Sequence, residues 1–166
     1  DETQIIEYIQ PLSEGKSIGV ISEAGCPGVA DPGAQVVALA HKKGFKVIPL
    51  IGPSSILMAL MGSGFSGQSF SFVGYLPKDK KDLKSRIKEL ESLSKKFNQT
   101  QIFIETPFRN NQMLENLKTY CSPSTQVSIA ANINQKNEII KTLPISKLRT
   151  GEFNIHKIPT VFSIMA

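Results

Sequence analysis

The chain has 166 residues, 40% of them hydrophobic, with 19 basic against 14 acidic side chains and a formal net charge of +5; this suits one full domain or two small ones, and permits a polyanionic partner without requiring it. No run approaches the roughly 20 apolar residues that cross a bilayer, and Asp1-Glu-Thr-Gln is unlike a signal peptide, so a cytoplasmic protein with no membrane partner is expected. Cys26 and Cys121 lack the local spacing of a disulfide scaffold or a zinc site, which leaves two free thiols and no metal.

Thr3 followed by Ile5, Ile6 and Ile9 has the spacing of a short amphipathic helix, which Pro11 should end before Glu14-Gly15-Lys16 turns the chain. Strand and helix then alternate: strand 17–22, helix 33–43, strand 45–51, helix 54–62. Short apolar strands joined through helices imply a parallel sheet covered on both faces. Two strands make a sheet too small to bury its faces, so residues 1–66 would be marginal alone. Together with a chain that starts at Asp1, this raises the expectation of further N-terminal residues.

Gly62-Ser-Gly-Phe-Ser-Gly67 has the highest glycine and serine density and is the expected linker to a second domain over 67–166. There, Ser69–Tyr75 alternates like a strand, and Leu83, Ile87, Leu90, Leu93 and Phe97 have helical spacing. The lysines and arginine of that helix, interleaved with Asp82, Glu89 and Glu91, suit either a solvated face or a nucleic-acid contact. Gln101–Glu105 is a further strand, Pro107 starts a helix with the apolar stripe Met113, Leu114, Leu117 and Tyr120, and strands follow at 125–131, 137–142 and 160–165. The expected fold is therefore α/β, a parallel-sheet domain followed by a mixed-sheet one.

The chemistry-bearing segments are loops. Ser22-Glu-Ala-Gly-Cys-Pro-Gly-Val-Ala-Asp-Pro-Gly33 follows one expected strand and Gly52-Pro-Ser-Ser55 the next, and loops at strand ends are where open α/β sheets bind ligands. Neither matches a phosphate-binding motif of the G-x-G-x-x-G or Walker type. They offer backbone groups and hydroxyls that fit a nucleotide-like ligand; the plain alternative is two tight turns with Asp31 capping the next helix.

Four segments in order resemble the tetrapyrrole methylase superfamily, and within it the RsmI-like branch of ribosomal-RNA ribose 2′-O-methyltransferases. They are Ser22–Gly33, Pro49-Leu-Ile-Gly-Pro-Ser54, Gly74-Tyr-Leu-Pro-Lys78 and Phe103-Ile-Glu-Thr-Pro-Phe-Arg109. The resemblance implies two α/β domains with S-adenosylmethionine (SAM) in the cleft between them, a homodimer, and ribosomal RNA or the small ribosomal subunit as partner. It also implies a first strand and loop ahead of everything present here, so that the first domain is truncated.

By the same resemblance, SAM contacts fall on Gly25, Cys26, Pro27 and Val29, on Ser55 and Ile56, and on Ile104, Ala131 and Pro159. Glu105 and Arg109 are the residues expected to orient substrate; a local ion pair or a helix cap is the alternative. The sequence departs from the family in two places. Cys26 and Glu23 replace Thr or Asp and Asp in the first loop, and Ala131-Asn-Ile-Asn-Gln135 stands where R-E-L-T-K is typical. A tetrapyrrole carbon methylase, or a SAM- or RNA-binding paralogue without catalysis, remains an alternative. His41, in a lysine-rich helix end, is expected to be structural, and His156 is isolated.

Overall fold

A computed structural model describes residues 2–23 and 25–166, without the side chains of residues 2–4; Ala24 of the first loop lies outside the described residues. The chain forms two compact units, Asp1–Ser54 and Ser55–Ala166.

In the first unit, α1 (Glu2–Ser13) packs against α2 (Ala34–Lys42). Pro11 does not end α1: a proline in the last turn removes one helical hydrogen bond, and its own carbonyl then accepts from the Glu14 and Lys16 amides at 3.1 and 3.0 Å. Gly33, with φ +128°, rather than Asp31 is the N-terminal cap of α2. At the other end the Phe45 amide bonds the Ala40 carbonyl and that of Gly44, with φ +76°, bonds His41, the paired closure that needs a left-handed glycine.

The two strands expected at 17–22 and 45–51 are absent as strands among the described residues. Both stretches lack helix, but neither joins a ladder, and Ile21, Leu50 and Ile51 are almost fully exposed. Apolar content sets a preference for extended backbone, whereas a strand also needs a neighbour to pair with.

The second unit is a three-layer α/β structure. Its mixed sheet has the order β1-β2-β5-β3-β4, from β1 (Phe70–Tyr75), β2 (Thr100–Ile104), β3 (Gln126–Ala131), β4 (Ile139–Pro144) and β5 (Thr160–Met165). β1 and β2 are parallel, joined through α4 (Lys80–Phe97); the other three pairings are antiparallel. The fully buried Leu83, Ile87 and Leu90 of α4 and Met113, Leu114 and Leu117 of α5 (Asn110–Tyr120) cover one face, on which Phe103 and Phe162 stack at 5.7 Å. The opposite face is covered by α3 (Ser55–Ser63), whose Ala59 and Leu60 pack on Ile102, Ala130 and Val161.

That packing is why the division falls at Ser54, ahead of the Gly62–Gly67 run taken as the linker: the run instead turns α3 into β1. Gly62 also has a steric role, since a Cβ there would lie 2.9 Å from Ile140 Cγ2. Helix α4 is capped at both ends. The Asp79 carboxylate accepts from the Lys81 and Asp82 amides at 2.8 and 3.1 Å, and Asn98 closes the helix at φ +48°.

Candidate functional site

In the second unit the site-bearing segments converge on one edge of the sheet. Register places Tyr75 opposite Ile104, Ile104 opposite Val161, and Ala131 opposite both Thr160 and Ile139. The carboxyl ends of β1, β2 and β3 therefore share an edge with the starts of β4 and β5. This edge carries Gly74–Lys78, Ile104–Arg109, Ala131–Gln135 and Pro159. In open α/β sheets the carboxyl ends of the parallel strands, with their irregular loops, are where ligands bind.

Helix α3 starts at the same edge. Met58 Sδ lies 3.9 Å from Asn134 Nδ2, beyond the end of β3, whereas the Ser63 carbonyl accepts from Thr142 Oγ1 at 2.7 Å, further along the sheet. Beyond the helix, the Ser66 carbonyl accepts from Thr100 Oγ1 at 3.0 Å, at the opposite edge. Ser55 and Ile56 thus belong with Ile104, Ala131 and Pro159, and Ile56 and Ile104 pack on one apolar cluster with Ala130 and Ile133. Ala131 is fully buried and Pro159 exposed; the Pro159 carbonyl accepts from the Asn132 amide at 3.1 Å.

Glu105 and Arg109 form the local ion pair that the sequence left open: Arg109 Nη2 is 3.4 Å from Glu105 Oε2. Glu105 Oε1 accepts from the Thr106 amide at 2.7 Å and from Thr106 Oγ1 at 3.2 Å, which locks the carboxylate onto its own strand end. Oε2 is buried and makes no hydrogen bond among the described residues. A fixed carboxylate with one unsatisfied oxygen beside a half-buried guanidinium is an arrangement able to take a hydroxyl donor. Pro107 opens a 3₁₀ turn, Pro107–Arg109, ahead of α5, so Arg109 returns toward Glu105.

The remaining predicted residues lie in the first unit. Gly25 and Gly28, at φ +76° and +77°, shape a loop that leaves both of them, with Pro27 and Val29, exposed. Cys26 Sγ donates to the Pro53 carbonyl at 3.4 Å, bringing the two sequence loops of this unit together. Glu23 is exposed.

Sequence reasoning missed the contact among Phe108, His156 and Lys157. Phe108 is 66% exposed, its ring lies 6.0 Å from that of His156 in an edge-on arrangement, and Lys157 Nζ sits 5.6 Å from its centroid. The only signal was an aromatic residue beside Arg109; the pairing with residues near β5 is a tertiary event. Among the described residues no group of His, Cys, Asp and Glu could hold a metal ion, and no helix is long and apolar enough to cross a membrane.

No family model matches the chain. It is 34% identical to "Ribosomal RNA small subunit methyltransferase I" of Vibrio cholerae over 142 residues, 86% of this chain and 48% of the relative. It is 37% identical to the protein of that name from Halalkalibacterium halodurans over 116 residues, 70% of this chain and 39% of the relative. The chain therefore spans about half or less of the length of the curated relatives it matches. Among solved structures it is similar to the methyltransferase CobJ, with a TM-score of 0.64 and 17% identity over 98% of this chain and 70% of that one. It is also similar to uroporphyrin-III C-methyl transferase from Thermus thermophilus complexed with S-adenyl homocysteine, with a TM-score of 0.56 and 15% identity over 98% and 72% of the two chains.

Proposed function

Because this chain has the tetrapyrrole methylase fold and is homologous to about half the length of small-subunit ribosomal RNA methyltransferase I proteins, we propose that the protein is a SAM-dependent methyltransferase acting on a ribose 2′-hydroxyl of ribosomal RNA. The supporting observation is a coincidence of place. Ser55, Ile56, Ile104, Ala131 and Pro159, picked out by resemblance alone, belong to a single edge of one sheet.

The residues on that edge fit the cofactor. An adenosine moiety needs apolar flanks and a close backbone, which Ile56, Ile104 and the small buried Ala131 supply. Gly25, Cys26, Pro27 and Val29 are the contacts assigned to the first unit. When bound, SAM supplies a methyl group on a positively charged sulfonium, already activated for displacement.

What the chain must then do is position the nucleophile in line, since orientation accounts for much of the rate of such transfers. Thr106 holds the Glu105 carboxylate still, and Arg109 beside it gives a ribose hydroxyl or phosphate a second polar partner. Oε2 of Glu105 is the acceptor within this pair for the hydroxyl proton. The exposed Lys80, Lys81, Lys84, Lys88 and Lys95 share one side of α4, which starts just after the Gly74–Lys78 segment at this edge and suits a phosphodiester backbone. On this reading the protein works in the cytoplasm as a homodimer.

Methylation of a tetrapyrrole carbon is the second reading, favoured by the two structural neighbours, whose low identity carries the fold alone. The test is methyl transfer from radiolabelled SAM to small ribosomal subunits from a strain lacking the enzyme, with the whole protein and mapping of the labelled nucleotide. Label on one ribose is the expected result. No label, with SAM binding intact by calorimetry, would sink the ribosomal assignment.

A further inference from the structure

Phe103 and Phe162 are fully buried and stack in the core, whereas Phe108, at the same end of β2, is left 66% exposed. Its surroundings are built. The Lys157 amide donates to the Pro107 carbonyl at 2.9 Å, Asn110 Nδ2 to the Ile158 carbonyl at 2.6 Å, and the Ile155 amide to Asn111 Oδ1 at 3.0 Å. Three hydrogen bonds thus strap the segment ahead of β5 onto the turn that carries the ring. Lys157 itself is held at φ +62°, a left-handed conformation uncommon for a side chain with a Cβ.

We propose that Phe108, with His156 and Lys157, is a stacking platform for a nucleobase of single-stranded RNA held at this edge of the sheet. The assignment rests on the proposed RNA substrate and names how that substrate is gripped. An aromatic ring this exposed takes any base by stacking, with the Lys157 ammonium, which lies over the ring, placed for the adjoining phosphate. Lys157 Nζ lies over the ring at 5.6 Å and His156 stands edge-on to it at 6.0 Å, both exposed. Bases inside a duplex already stack on their neighbours, so the platform selects an unpaired or splayed nucleotide. Arg109, next in sequence, ties the platform to Glu105. The stacked base would thereby present its own or a neighbouring ribose to the same edge.

The experiment uses the whole protein, as wild type and as Phe108→Ala, Phe108→Trp and Lys157→Gln variants. Two readouts are taken: anisotropy with a fluorescein-labelled uridine dodecamer, and methyl transfer to small subunits from the deficient strain. Phe108→Ala should weaken dodecamer binding roughly tenfold and Phe108→Trp should restore it, with SAM affinity unchanged. Lys157→Gln should lower the salt dependence of binding by about one phosphate contact. Photocrosslinking of a 5-iodouridine dodecamer should map to Phe108. Dodecamer binding by Phe108→Ala equal to wild type, or no binding by wild type, overturns the platform. Methyl transfer by wild type with an indifferent Phe108→Ala variant leaves the RNA methyltransferase reading standing without the platform. Binding that depends on Phe108, with no label on small subunits, removes the ribosomal reading and keeps the platform.

Discussion

The thiol of Cys26 donates to the carbonyl of Pro53 at 3.4 Å, across 27 positions of sequence, and so ties together the two loops of the first unit. A thiol is a weak donor, and the bond contributes well below the ~1 kcal/mol of an ordinary hydrogen bond. Cys26→Ser, which keeps a donor, should retain stability within about 0.5 kcal/mol and hold SAM affinity near wild type. Cys26→Ala should weaken SAM binding more than it lowers the melting temperature. Calorimetric titration beside thermal melts checks this, and unchanged affinity in Cys26→Ala would remove the residue from the cofactor contacts.

Cys121 provides the internal contrast. Burial, with the Glu91 carboxylate nearby, pushes its thiol up to about 12. Of these two thiols, Cys26 alone should react with a disulfide reagent at pH 8 in the native state, and both should react in denaturant. Two fast thiols in the native state would contradict the packing around Cys121.

Glu91 is a buried carboxylate whose burial opposes ionisation, yet hydrogen bonds from Thr125, Ser122 and Lys88 outweigh that effect and hold it below its usual range. A folded-state value below the unfolded one contributes stability that is full above about pH 4.5 and is lost as pH falls through the folded value. Glu91→Gln should cost about 1–2 kcal/mol at pH 7, and its deficit relative to wild type should shrink below pH 4. Urea unfolding at pH 7, 5 and 3.5 measures this; a deficit independent of pH would point to packing rather than charge.

Gly62→Ala sets two effects against each other. Alanine favours a helix by about 1 kcal/mol, but its Cβ would meet Ile140 Cγ2 at 2.9 Å and Cδ1 at 3.1 Å. Overpacking of this kind costs about 1–3 kcal/mol, so net destabilisation of about 1 kcal/mol is expected. Ile140→Ala should relieve it, and a double-mutant cycle with no coupling would contradict the contact.

Asn110 is fully buried and holds the Ile158 carbonyl at 2.6 Å. Asn110→Leu strips the donor and should cost about 1–3 kcal/mol. Amide exchange should accelerate over residues 155–158 before it does in β5. Uniform acceleration would show that the asparagine stabilises the whole unit rather than this strap.

Glu105→Gln keeps an acceptor oxygen but removes the charge facing Arg109, 3.4 Å away. On the proposed mechanism kcat for RNA methylation should drop by about tenfold or more, in the range of lost general-base assistance, with SAM affinity little changed. An unaltered kcat would reduce the pair to a local structural contact.

Residues 70–165 illustrate what the sequence alone could determine. The spacing of Leu83, Ile87 and Leu90, Asp79 ahead of α4, Pro107 at a helix start and alternation in β1 are local signals, and the elements they predict form within a residue or two. The four motif segments were legible for the same reason, being short and contiguous. Only tertiary structure decided pairing. The apolar stretches at 17–22 and 45–51 carry strand composition without a ladder, because hydrogen-bonded neighbours are not encoded within the segment. Helix α3 joined the second unit because Ala59 and Leu60 found Ile102, Ala130 and Val161, partners separated from them by more than 40 positions. Phe108 likewise gained its meaning from His156 and Lys157, brought beside it by the antiparallel return of β5 along β2.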